Sequence, residues 1–291
     1  MDVTQQLLVN LAIVSVNVLL HSTGCFLLWK TYKRSQVTTQ KLLLFHLSIS
    51  EGLMNLNLVV IFAVHLCIDF RSESYKIIYT YIIHPMRSSL FYVIFFIMLF
   101  MTLDRLMAVV LNLKYQIYWR VTRTKKVLAA IWIFGLLLSV CFGFLPKDTP
   151  QSILMIHIYL QFAFSVVFVI TALLTYATIF WKYKISRRNL LEADSSIGND
   201  LPQHSRMHFY IPLLIVFTYM ILNATPYIMI IFINKAVAID IDTILFYLGY
   251  MSDALIYIFL QPEVRQKLFM CCRRRDSPEP SNNITLQSIV N

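Results

Sequence analysis

The chain has 291 residues, of which 58% are hydrophobic and only 14% charged, and its formal net charge is +10. Soluble globular domains carry about 25% charged residues, and here the apolar residues fall in long runs, not in periodic stripes. An ordinary soluble domain, a disordered chain, a collagen and a disulfide scaffold are therefore excluded. The five cysteines (Cys25, Cys67, Cys141, Cys271 and Cys272) show no metal-ligand spacing.

A membrane helix needs about 20 largely apolar residues. In chain order, seven segments qualify: Leu7–Trp29, Leu42–Cys67, Ile77–Leu111, Val127–Leu145, Ile153–Trp181, His208–Ile233 and Ala236–Leu260. The expected fold is all-α, a seven-transmembrane bundle over 7–260 behind a short extracellular N-terminus (1–6). The third and fifth runs exceed what a bilayer requires, so they should tilt or project beyond it. Only Met1–Gln6 precede the first run, with no Lys or Arg among them, so that run should itself serve as the membrane-entry signal. Between the fifth and sixth runs, Ser186–Ser205 is polar and reads as a solvated loop. Residues 261–272 read as a short amphipathic eighth helix, with Val264, Leu268 and Phe269 toward lipid and Arg265 and Lys267 toward water. The tail, 273–291, is polar and expected to be disordered.

Orientation follows the basic residues. With the N-terminus outside, twenty of the 25 Lys and Arg fall in cytoplasmic loops, flanks and tail, leaving Arg71, Lys76, Arg87, Lys147 and Lys235 outside. Topology thus explains the positive charge, and no nucleic-acid partner is needed. Membrane lipids are the expected surroundings, at the plasma membrane.

Inside the runs stand Asn17, Glu51 and Asp253. Polar groups in lipid are costly and usually functional, although one such group can simply hold helices together. Two carboxylates at similar depth would repel, so at least one should be protonated or paired with a cation. The third run ends in Asp104-Arg105-Leu106. No clustered His/Cys/Asp site or nucleophile–base set is present, so no catalytic residue, cofactor or metal is expected.

In order along the chain, these residues resemble the rhodopsin-like (class A) G-protein-coupled receptors. Asp104-Arg105-Leu106 is similar to the family's Asp-Arg-Tyr motif, and Asn17 and Glu51 match its first-span Asn and second-span Asp site. Trp132 and Tyr176 match the fourth-span Trp and fifth-span Tyr, and Pro226 matches the sixth-span Pro. Asp253-Ala254-Leu255-Ile256-Tyr257 resembles Asn/Asp-Pro-x-x-Tyr, and Cys271 and Cys272 stand where the family is often palmitoylated. The resemblance implies a receptor that passes an extracellular signal to a heterotrimeric G protein. Asp104, Arg105, Tyr176 and Tyr257 would carry coupling, and Asn17, Glu51 and Asp253 a buried polar network.

Departures are equally specific. Counting back from Arg105 places Thr80 where the family has its third-span Cys, and Pro146–Ser152 lacks Cys, so the usual disulfide is not expected. Phe168 replaces the fifth-span Pro, Ile94 a third-span Ser of the sodium site, and Ala224 the Trp of the sixth-span switch. The short loop, the missing Pro and Asp253 are similar to the melanocortin, cannabinoid and lysolipid branch. However, His84 and Ile61 occupy two sites where melanocortin receptors hold acids.

Arg87 lies 18 residues before Arg105, about 27 Å along an ideal helix. At helical spacing His84, Arg87, Ser88 and Phe91 share a face, and Asn223, Tyr227 and Tyr247 are placed to close the same pocket. Amine receptors of the family hold an Asp where Arg87 stands. A guanidinium there would instead favour a carboxylate or phosphate, hence a small anionic or lipid-like ligand; the alternative is that Arg87 only snorkels to the outer interface. Two alternatives remain open. One is a receptor-like protein without ligand response, given Leu106, Ala224 and Ala254. The other is a proton or ion transporter using Glu51 and Asp253.

Overall fold

Residues 3–34, 38–68, 72–111, 114–115, 119–143, 151–193, 213–224 and 235–259 are described in a computed structural model, and every regular element among them is helical. In chain order they are α1 (Val3–Arg34), α2 (Thr39–Cys67), α3 (Glu73–Leu111), α4 (Val121–Gly143), α5 (Gln151–Ala193), α6 (Leu213–Leu222) and α7 (Lys235–Phe259). Helices α1 to α5 each hold a stretch long and apolar enough to cross a membrane, and α6 is apolar but shorter. The segment expected as an eighth helix (261–272), the tail, Cys271, Cys272, Pro226 and Tyr227 lie outside the described residues.

Local chemistry sets several helix ends. Thr38 is extended at the start of α2, and its hydroxyl accepts from the Lys41 amide at 3.3 Å, which satisfies one orphan N–H of the first turn. In α3 a π-turn spans Tyr79–Ile83, directly before His84-Pro85. Proline has no N–H to give the carbonyl four residues back and its ring crowds that turn, so one residue is taken up as a bulge. The bulge adds a residue between Thr80 and Arg105, which shifts the count that aligned Thr80 with the family's Cys. A second π-turn, Met220–Ala224, ends α6 shortly before Pro226 in the sequence. At the far end of α5 the helix continues to Ala193. The first eight residues of the segment expected as a loop from Ser186 are therefore helical. Its Arg187, Arg188, Leu190, Leu191 and Ala193 are good helix formers.

Helix α3 is the hub. Residues Ser88 to Phe95 are all buried, and α3 packs against α2, α4 and α5, while α1 packs against α2 and α7. Aromatic rings knit the centre: Phe95 meets Phe164 at 5.2 Å and Phe168 at 5.9 Å, and Phe168 meets Tyr219 of α6 edge-on at 5.2 Å. The outward faces of α1, α4 and α5 expose Leu19, Phe26, Leu137, Leu174 and Phe180. Such a surface fits a bilayer better than water. Lipid tails are as apolar as Leu, so helix association there depends on close packing and polar contacts. Gly135 shows the closeness required. A Cβ on it would come within 2.5 Å of Val93 Cγ2 and 3.2 Å of the Ser89 carbonyl.

Candidate functional site

Two polar clusters are built into this frame. The first joins the end of α3 to the starts of α2 and α4. Asp104 is fully buried, and both of its oxygens are engaged. Arg105 Nε donates to Oδ2 at 3.1 Å, Arg105 Nη2 donates to the same oxygen, and the Tyr115 hydroxyl donates to Oδ1. Consecutive helical residues do not face each other, so the long Arg105 side chain must fold back to reach its neighbour. Its third nitrogen, Nη1, donates to Gln40 Oε1 of α2 at 3.3 Å. Beside them the Thr39 and Thr124 hydroxyls are 3.3 Å apart, tying α2 to α4. Tyr176 of α5 brings its hydroxyl within range of the Arg105 charge. Burial, then the Asp104 charge, pushes the Tyr115 hydroxyl above the usual phenol range, so it remains a donor. Tyr257 lies on α7, and its side chain is outside the described residues.

The second cluster sits where α1, α2 and α7 meet. Asn17, His21, Glu51 and Asp253 are all fully buried. Asn17 Nδ2 donates to the Tyr247 carbonyl at 3.2 Å, and one turn further along α1 His21 Nε2 lies 3.1 Å from the Tyr250 carbonyl. His21 Nδ1 lies 3.7 Å from Glu51 Oε2. The Asp253 carboxyl adjoins Glu51, although neither of its oxygens is in a well-formed hydrogen bond among the described residues. Small residues permit this approach of α1 to α2. A Cβ on Gly52 would be 3.3 Å from His21 Cβ, and one on Gly24 would be 3.5 Å from Ser48 Oγ.

The ligand-pocket residues gather more loosely at the opposite end of α3. His84 is half-buried, with its ring 6.3 Å from Tyr79. Arg87 is exposed, yet close enough for its charge to act on both His84 and Tyr247. Ser88 and Phe91 are buried, and Phe91 packs edge-on against Tyr92 at 5.6 Å. Tyr247 is buried against Phe62. Asn223 is in the π-turn that ends α6, but its side chain, like all of Tyr227, is outside the described residues.

The fold thus brings Asn17, Glu51 and Asp253 to one junction, Asp104, Arg105 and Tyr176 to a second, and His84, Arg87 and Tyr247 to a third. His21, Gln40 and Tyr115 complete the first two and were not singled out from sequence. His21 had a legible signal, standing four residues after Asn17 on the same helical face. Tyr115 had none, because its contact depends on the path of the chain after α3. Among the described residues no group of three His, Cys, Asp or Glu side chains is placed to hold a metal ion. No protein-family model and no curated protein matches the chain in sequence.

Proposed function

We propose that this chain is a rhodopsin-like receptor with seven membrane spans and a short amphipathic eighth helix. It lies in the plasma membrane with its N-terminus outside and passes an extracellular ligand signal to a heterotrimeric G protein. The observation that carries the reading is the clamp on Arg105, held by Asp104 on its own helix and by Gln40 on α2. A hydrogen bond to a charged group contributes about 1.5–3 kcal/mol. A few such bonds match the gap of a few kcal/mol that lets a ligand shift a two-state protein. In the closed state the clamp keeps the guanidinium on Asp104. When the end of α3 moves from α2, Gln40 lets go, Nη1 becomes available, and a partner can compete with Asp104 for the rest of the guanidinium.

Arg87 supports an anionic or lipid-like ligand, since it is exposed and its charge reaches Tyr247 and His84. The test is nucleotide exchange on purified G-protein heterotrimers with the chain in lipid vesicles: the wild type accelerates it and Arg105→Ala does not. One observation favours a second reading. The adjoining buried carboxyls of Glu51 and Asp253 suit a proton or ion transporter, which predicts pH-driven uptake or current in the same vesicles and no effect on exchange. A receptor-like protein without ligand response, in keeping with Leu106, Ala224 and Ala254, would give neither signal.

A further inference from the structure

We propose that Arg120, Lys125 and Lys126, at the start of α4, form a docking face for a lipid whose headgroup carries several phosphates, a phosphoinositide by chemical class. From Arg120 to Lys126, four of seven residues are Lys or Arg. Arg120, Arg123, Lys125 and Lys126 are all exposed, as is Lys114 just before them. From Arg105 to Leu191 the sequence holds one acid, Asp148, which lies beyond the far end of α4. The acid nearest on the other side, Asp104, is buried and taken by Arg105 and Tyr115. Other cations at this end differ: Lys41 is buried in α2, and Arg105 is held by Asp104 and Gln40.

This placement is costly for the helix itself. The N-terminus of a helix carries a partial positive charge, so cations are favoured at the other end. Helix α4 nonetheless has no acid in its first turn and starts among four cations. Arg120, directly before Val121, has no side-chain acceptor with which to cap the first N–H groups. Local rules of this kind are broken chiefly at functional sites. The bias of basic residues toward the cytoplasm accounts for cations at this end, but not for their gathering on the lipid side of one helix. Lys126, Ile133 and Leu137 share a face at helical spacing and are all exposed, as are Lys125 and Leu136 beside them. That face is turned away from α3, which α4 approaches through Gly135 and Ser139. The cations therefore point sideways, where headgroups sit, and not along the bundle axis toward a soluble partner. A side chain leans toward the N-terminus of its helix, so Lys125 and Lys126 reach out of the apolar layer to the headgroups. One turn on, the small exposed side chains of Ala129 and Ala130 leave room on the same face for the body of the lipid.

Spacing sets the headgroup chemistry. Arg120 and Lys126 are six residues apart, about 9 Å along a helix, a spread that suits a ring bearing several phosphates better than a single phosphate. Arg120 offers a bidentate fork and the two lysines compact charges. Thr124, between these cations, pairs with Thr39, the neighbour of Gln40. A headgroup on this face would therefore brace the α2–α4 contact beside the Arg105 clamp. The inference uses the orientation in the receptor reading, which puts the start of α4 in the leaflet rich in anionic lipid. It uses neither the extracellular ligand nor the G protein.

The test titrates a short-chain phosphatidylinositol bisphosphate onto the purified full chain in phosphatidylcholine nanodiscs. Empty discs are the reference, and short-chain phosphatidylserine at equal total charge is the comparison. Wild type should bind the bisphosphate lipid well above the serine lipid. At the worth of a basic residue near an anionic surface, Arg120→Gln, Lys125→Gln and Lys126→Gln combined should weaken that binding about a hundredfold. Lys182→Gln with Lys184→Gln, which removes exposed cations from α5, should bind as wild type does. Equal binding of the two lipids, an unchanged triple variant, or an equal loss in the α5 pair overturns the proposal. So does a triple variant that keeps the lipid but loses nucleotide exchange, which would give the face to an acidic protein partner. Should the triple variant not fold, each single replacement should weaken binding about fivefold, and three unchanged singles refute it. Nanodiscs offer lipid to both ends of the helices and hold no agonist or G protein, so failure here and failure of the receptor reading are distinguishable.

Discussion

Arg105 Nη1 donates to Gln40 Oε1 at 3.3 Å, and this contact ties the last turns of α3 to the first turn of α2. Arg105 is otherwise satisfied by its neighbour Asp104, which travels with it. Gln40 is therefore the partner that senses helix separation. Gln40→Ala should raise ligand-independent nucleotide exchange about tenfold, because a lost hydrogen bond to a charged group is worth at least about 1.5 kcal/mol and every 1.4 kcal/mol is about tenfold. Basal exchange equal to wild type would remove Gln40 from the restraint.

Tyr115 should act from the other side of Asp104. Tyr115→Phe leaves Oδ1 of a buried carboxylate without its donor, and the measurement is again basal exchange, with an increase expected. The pH dependence has a definite sign. The folded hydroxyl is held above its ordinary range by burial and by Asp104. Its contribution is therefore complete below the unfolded phenol value, about 10, and is lost only as pH rises through the higher folded value. Phenolate absorbance from Tyr115, read as wild type minus Tyr115→Phe, should be absent up to pH 10. Titration near the ordinary value would contradict the contact.

Gly135 sets how near α4 comes to α3. Gly135→Ala places a methyl 2.5 Å from Val93 Cγ2 and 3.2 Å from the Ser89 carbonyl, and overpacking of this kind costs about 1–3 kcal/mol. Val93→Ala in the same chain should recover part of the loss, since it clears the nearer contact but not the backbone one. Thermal unfolding of the single and double variants checks both statements.

How much of this was legible in the sequence follows the range of each interaction. The α1 to α5 runs could be read because a bilayer-length apolar stretch is a local property. Asn17, Glu51 and Asp253 stood out because polar residues are rare in such runs, and the fold does bring them to one junction. The role of His21 depends on α7 supplying the Tyr250 carbonyl, a contact 229 residues away, and no local pattern encodes that. The π-turn at Tyr79–Ile83 displaced the count at Thr80 for a related reason. Pro85 announces a disturbance, but whether the helix kinks or bulges is settled by how α3 packs on its neighbours.

Arg87 offers a test of ligand chemistry. Arg87→Ala should abolish activation by carboxylate- or phosphate-bearing lipids, whereas Arg87→Lys should retain part of it, since an ammonium keeps the charge but loses the bidentate fork. A screen of such lipids on cells expressing each variant would show it. An agonist that is a simple amine, or one indifferent to Arg87→Ala, would end this assignment.

The most direct test of the receptor account is GDP–GTP exchange on purified G-protein heterotrimers, with wild type, Gln40→Ala and Arg105→Ala at matched density in vesicles. The account predicts exchange above the empty-vesicle rate with wild type, a higher rate with Gln40→Ala, and the empty-vesicle rate with Arg105→Ala. Equal rates for all three across every heterotrimer class would contradict it.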